Sequence, residues 1–151
     1  MDTISFIYVT YISAAPGKVF KALTDPKMTK KYWQHENVSD WKPGSRWEHR
    51  DTGKDGSLDL VGKVIEYAPP RRIVLSWASP EDEAREDKYS RVALDIEPYH
   101  GVTRLTVTHV GLKPGSEMLK GIMEGWPMVL SSLKSLMETG HALPVLWDRA
   151  A

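Results

Sequence analysis

The chain of 151 residues contains no cysteine. That absence excludes disulfides, thiol nucleophiles and cysteine-ligated zinc or iron–sulfur centres, and it fits a reducing cytoplasm, the expected location. No apolar run approaches the roughly 20 residues a helix needs to cross a bilayer, so no integral membrane association is expected. Net charge is absent too: lysine plus arginine equal aspartate plus glutamate at 20 each. A nucleic-acid partner, which needs a basic surface to displace counterions, is not expected. The first fifteen residues lack the positive start of a signal peptide, with Asp2 in its place, and they alternate as a strand does. There is no nucleophile elbow, phosphate-binding glycine loop, dinucleotide fingerprint or zinc-protease helix, so no catalytic residue and no cofactor is assigned.

What is present is regular patterning. From Ile4 to Ile12 apolar residues recur with a period of two, with Ile4, Phe6, Tyr8 and Ile12 on one parity. Pro16 suits the first turn of a helix with Val19, Phe20 and Leu23 on its apolar face, and Asp25-Pro26 ends it and caps a second short helix running to about Trp33. Beyond the Pro43-Gly44 turn come five strand-like segments, Arg46 to Arg50, Leu58 to Tyr67, Arg72 to Trp77, Tyr89 to Glu97 and Val102 to Val110, separated by connections short enough for antiparallel neighbours. The charged stretch Ser79 to Lys88 reads as a solvated loop.

Ser116 then caps the longest element, with apolar positions at Leu119, Ile122, Met123, Trp126, Val129, Leu130, Leu133, Leu136 and Met137 before Gly140 offers a stop. Pro127 has no N–H for the carbonyl of Met123, so a kink or restart is expected near Gly125 to Pro127. The result is an α+β chain whose curved, six-stranded antiparallel sheet wraps a long C-terminal helix, with two short helices after the first strand. No repeat, linker or low-complexity stretch interrupts it, and residues 1–151 read as one domain.

Candidate functional residues follow from strand parity. His109 shares a face with Leu105 and Val107 and is expected to point inward, either as the polar anchor of a cavity or as a core histidine paired with the backbone. Trp47 and His49 share one strand face, and Ile73, Leu75 and Trp77 another. With Trp33 and Trp126 they gather four of the six tryptophans around an interior that is either a small-molecule pocket or a packed core. The expected ligand-binding set is Trp33, Trp47, His49, Trp77, Leu94, His109, Trp126 and Leu130. Glu66 is read as solvated or arginine-paired. His49 with Asp51, or His35 with Glu36, has the donor types of half a metal site but no defining spacing, and no metal is assigned.

Four blocks carry a resemblance: Tyr11-Ile12-Ser13-Ala14-Ala15-Pro16-Gly17-Lys18-Val19-Phe20 continuing to Thr24-Asp25-Pro26; Gly62-Lys63-Val64-Ile65-Glu66 with Pro69-Pro70-Arg71-Arg72-Ile73-Val74; Thr103-Arg104-Leu105-Thr106-Val107-Thr108-His109; and Gly125-Trp126 with its leucine-rich helix. Over nearly its whole length the chain resembles the AHSA-like family, named after the C-terminal domain of the activator of the 90-kDa heat-shock-protein ATPase, within the START-like (SRPBCC, helix-grip) superfamily. The resemblance implies a cavity between sheet and long helix, with a small hydrophobic molecule as partner. Three readings stand open: a binding protein for an apolar, aromatic or lipid-like ligand; a hydrolase, cyclase or isomerase using His109; and a module meeting a chaperone or regulator, with Trp41 and Trp147 as contact candidates. The eukaryotic activator has a second, chaperone-binding domain with no counterpart here, so a chaperone partner is the lesser expectation. A homodimer is left open.

Overall fold

The computed structural model describes residues 2–53 and 55–144. Its elements run β1 (Ile4–Ile12), α1 (Pro16–Thr24), α2 (Pro26–Trp33), β2 (His35–Ser39), β3 (Arg46–Asp51), β4 (Ser57–Ala68), β5 (Arg72–Trp77), β6 (Ser90–Tyr99), β7 (Val102–Leu112) and α3 (Glu117–Thr139). The strands form one sheet in the order β1-β7-β6-β5-β4-β3-β2, with every pair antiparallel. Thus β2 to β7 form a meander, and β1 closes onto the last strand.

The sheet therefore has seven strands where six are expected. The additional one, β2, has an inverted pattern: Asn37 is buried and Val38 exposed. Periodicity reads apolar residues as inward, so His-Glu-Asn-Val-Ser carries no strand signature. Gln34, at φ 60, ends α2 in a left-handed turn, and the chain passes directly from helix to strand. Trp33 and His35 are thereby held side by side without an intervening loop.

The stripe of α3 lies over the concave face of the sheet, where Leu119, Ile122, Trp126, Val129, Leu130 and Leu133 join the core with Ile12, Trp47, Trp77, Leu105 and Val107. A sheet with one apolar face needs such a cover. Ser116 caps the helix through its side chain and Gly140 closes it at φ 83, as expected. Of the expected kink or restart near Pro127, the restart does not occur, since the helix runs unbroken across it. An interior proline loses a hydrogen bond and crowds the carbonyl four residues back, at about 3 kcal/mol, and the buried stripe on both sides outweighs it. The stretch from Ser79 contains two single 3-10 turns, Pro80–Asp82 and Glu86–Lys88, neither with a buried residue. Glu66 pairs with Arg72 at 3.2 Å.

Trp41 is partly buried against the core and stacks on Tyr67, with ring centroids 6.4 Å apart. It is thus tied to its own chain instead of being presented to a partner. Trp147 lies outside the described residues.

Candidate functional site: a cleft between sheet and helix

Four tryptophans meet beneath α3. Trp47 and Trp77 have centroids 5.2 Å apart, Trp77 and Trp126 5.6 Å, and Trp33 and Trp126 5.3 Å. These are ordinary spacings for tilted aromatic pairs. The indoles are packed together, and the space among them is only about 10 Å³. The hollow lies beside them: a cleft of about 400 Å³ between β2–β5 and the first half of α3, walled by Trp33, His49, Leu60, Trp77, Ile122 and Trp126.

Its roof is shaped by glycines. Gly121 and Gly125, one turn apart on α3, both line the cleft, and a Cβ added at either would meet nothing within 4 Å among the described residues. Glycine inside a helix costs about 1 kcal/mol relative to alanine. Residues four apart share a helix face, so the pair strips side chains from the face that looks into the cleft. Met118 and Met128 flank them.

The expected site residues separate into three groups. Trp33, His49, Trp77 and Trp126 line the cleft. Trp47 and Leu94 border the small void among the indoles. His109 and Leu130 are fully buried and border neither. Sequence reasoning missed Gly121, Gly125, His35 and Asp59 as wall residues; the available signal was the four-residue spacing of two helical glycines.

His109 points inward as its parity requires, into a closed network. Trp126 Nε1–H donates to Nδ1 at 3.1 Å, and Nε2 lies 2.8 Å from the Ser90 hydroxyl. An indole N–H can only donate, so the proton of the ring sits on Nε2 and is given to Ser90, whose hydroxyl faces the Trp77 carbonyl at 3.4 Å. Burial lowers the imidazole pKa to about 3. With its lone pair occupied and its ring neutral, His109 is not placed to serve as a general base; it positions Trp126.

His49 is different. Its Nδ1 lies 2.5 Å from the side-chain oxygen of Asn37 on the neighbouring strand, an acceptor, so Nδ1 carries the hydrogen and Nε2 the lone pair. Among the described residues Nε2 has no hydrogen-bond partner, and the ring lines the cleft. Burial, and then the nearby His35, hold its pKa well below the usual imidazole value. The cleft is thus offered one neutral acceptor. The indole of Trp77 has the complementary status: its N–H is buried with no partner among the described residues. The N–H groups of Trp47 and Trp126 are occupied, the former by the Ser76 carbonyl at 2.7 Å. The only charged side chains in the described wall are Asp59 and Glu124.

A family profile described as "Activator of Hsp90 ATPase homolog 1-like protein" matches residues 13–138. Among solved structures, the Aha1 dimer from Colwellia psychrerythraea is similar with a TM-score of 0.76 at 22% identity, over 91% of this chain and 98% of that one. CalU16 from Micromonospora echinospora is similar at 0.73 and 25% identity, over 97% of this chain and 73% of that one. PFC0360w, an HSP90 activator from Plasmodium falciparum, is similar at 0.71 and 23%, over 88% and 95%. A sequence comparison with curated proteins returned no match. The curved sheet gripping α3 is the START-like helix-grip fold. With the profile spanning most of the sequence, the chain belongs to the Activator of Hsp90 ATPase homolog 1-like family.

Proposed function

We propose that the protein binds a small, uncharged, largely apolar molecule, of aromatic or lipid-like kind, in the cleft between the sheet and the first half of α3. The observation that carries this reading is the glycine pair: α3 tolerates two poor helix formers in the places where side chains would fill the hollow. The volume of about 400 Å³ lies within the roughly 300–1,000 Å³ of small-molecule sites. Affinity comes from apolar area removed from water, at about 25 cal/mol per Å². Orientation comes from the His49 Nε2 acceptor. No lysine or arginine lines the described wall, so a fatty-acid carboxylate finds no counter-charge. A thermal-shift titration tests the class. Uncharged aromatic compounds at 100 times their Kd stabilise by about 2.7 kcal/mol, a rise of roughly 5–10 °C for a chain of this length, and laurate does not. A rise with laurate and none with uncharged compounds contradicts the reading.

Self-association is a second reading, favoured by β1. This edge strand has no charged residue or proline over its nine residues, and its outward side chains Ile7, Val9 and Tyr11 are 62%, 42% and 41% exposed. Natural edge strands normally carry such guards against pairing with another chain. The similar Colwellia psychrerythraea structure is described as a dimer. Sedimentation velocity is expected to show a concentration-dependent dimer that Ile7→Lys disperses with no loss of Tm; a monomer at every concentration rules it out. For a chaperone partner, which the family description suggests, adding purified 90-kDa heat-shock protein to the same experiment shows whether a mixed complex forms.

A further inference from the structure

At one side of the cleft, metal-ligating side chains converge from three strands. His35 opens β2, Asp51 ends β3 and Asp59 lies near the start of β4; one ligand atom from each falls within 4.8 Å of the others. Nε2 of His35 is 2.8 Å from Oδ2 of Asp59 and 3.8 Å from Oδ2 of Asp51. The far atoms of two of the three side chains are oriented. Nδ1 of His35 is 2.9 Å from the Trp33 carbonyl oxygen, which only accepts, so Nδ1 carries a hydrogen. Oδ1 of Asp51 accepts from the Gly53 N–H at 2.8 Å. A histidine whose far nitrogen is held by a carbonyl, beside a carboxylate whose other oxygen is held by an amide, is the arrangement that aims ligands at a metal. The parallel ring of His49, 4.2 Å away centroid to centroid, fixes the plane of His35.

Nε2 of His35 and Oδ2 of both aspartates thus converge on one point from three strands, and a dication seated there would meet one imidazole nitrogen and two carboxylates. We propose that His35, Asp51 and Asp59 form a binding site for a divalent first-row transition-metal ion at the mouth of the cleft. One imidazole nitrogen with carboxylate oxygens suits zinc, cobalt or manganese, whereas magnesium and calcium favour all-oxygen sets. Three protein ligands leave coordination positions for water or for a ligand's polar end. The site does not depend on the ligand-binding reading, and each can fail without the other.

The test is calorimetric titration of the full chain with ZnCl2 and CoCl2, without organic ligand, in a non-chelating buffer near neutral pH. One equivalent is expected to bind with Kd below about 100 μM, zinc more tightly than cobalt, with millimolar magnesium failing to compete. Asp59→Asn, at an exposed position, is expected to keep the fold by circular dichroism and weaken zinc at least ten-fold, and His35→Gln to do the same. The double variant His100→Gln with His141→Gln, which removes exposed histidines elsewhere, is expected to bind as the parent does. No saturable equivalent, or unchanged binding in Asp59→Asn, or loss in the double variant, overturns the proposal.

Discussion

Gly62→Ala is expected to unfold the protein or lower its stability by about 3–5 kcal/mol, above the roughly 1–3 kcal/mol of ordinary overpacking. Gly62 lies in β4 opposite Trp47, and the Trp47 indole passes over it to reach the Ser76 carbonyl. A Cβ at Gly62 would sit 1.8 Å from the Ser76 oxygen and 2.4 Å from the indole nitrogen. Neither neighbour can give way: the oxygen is backbone of β5, and the indole is fully buried beneath Trp77. Relief requires moving a strand or breaking the indole hydrogen bond, and the latter leaves a buried donor and acceptor unmet, each costing about 1–3 kcal/mol. Differential scanning calorimetry should show a Tm drop on the order of 6–20 °C, or no cooperative transition. Gly62→Ala with parental Tm would contradict the packing described. Glycine is thus required here for close approach, in contrast to Gly121 and Gly125, where the missing side chain leaves space.

Mild acidification is expected to give the second-largest effect. His109 has a folded-state pKa near 3, against about 6.5 in the unfolded chain. The unfolded chain therefore binds a proton that the folded one refuses. Stability is fully present above pH 6.5 and declines as pH falls, until His109 also protonates in the fold near pH 3. By pH 5 the loss from this residue alone is about 2 kcal/mol. His49, held neutral by burial, acts in the same direction. Glu48 and Glu138 have lowered pKa values from arginine and lysine partners, and their contributions fall away below the ordinary carboxylate range, outside the window from pH 7 to 5. Urea unfolding across that window should show the midpoint falling, and His109→Gln should flatten the slope by about one proton. A midpoint independent of pH between 7 and 5 would contradict the closed Trp126–His109–Ser90 network.

The alternation of β1 and β7 put Phe6, Tyr8, Ile12, Leu105, Val107 and His109 inward, because side-chain parity in a strand is fixed by backbone geometry. The helix caps at Ser116 and Gly140 were legible for the same local reason. Strand β2 was not, because its buried position is an asparagine whose hydrogen-bond partner, His49, arrives from the next strand. Without β2 there was no register between His35 and Asp51, and only pairs close in sequence came into view. One of these, His35 with Glu36, is excluded because neighbours in a strand face opposite ways. The cleft was expected among the tryptophans and lies beside them: parity says which way an indole points, not whether four indoles stack or stand apart. The two helical glycines broke a local rule without local compensation, which is where a functional site is to be expected.

The most direct measurement fills the space those glycines leave. Titrating N-phenyl-1-naphthylamine, an uncharged fluorescent aromatic, into the parent protein should give saturable binding near one equivalent, with energy transfer from the tryptophans of the cleft wall. Gly125→Leu places a side chain where no described residue lies within 4 Å and removes a poor helix former. It should keep or raise Tm and weaken the probe at least ten-fold. Equal affinity in parent and variant, or no saturable binding by the parent, would contradict the cleft as a ligand site.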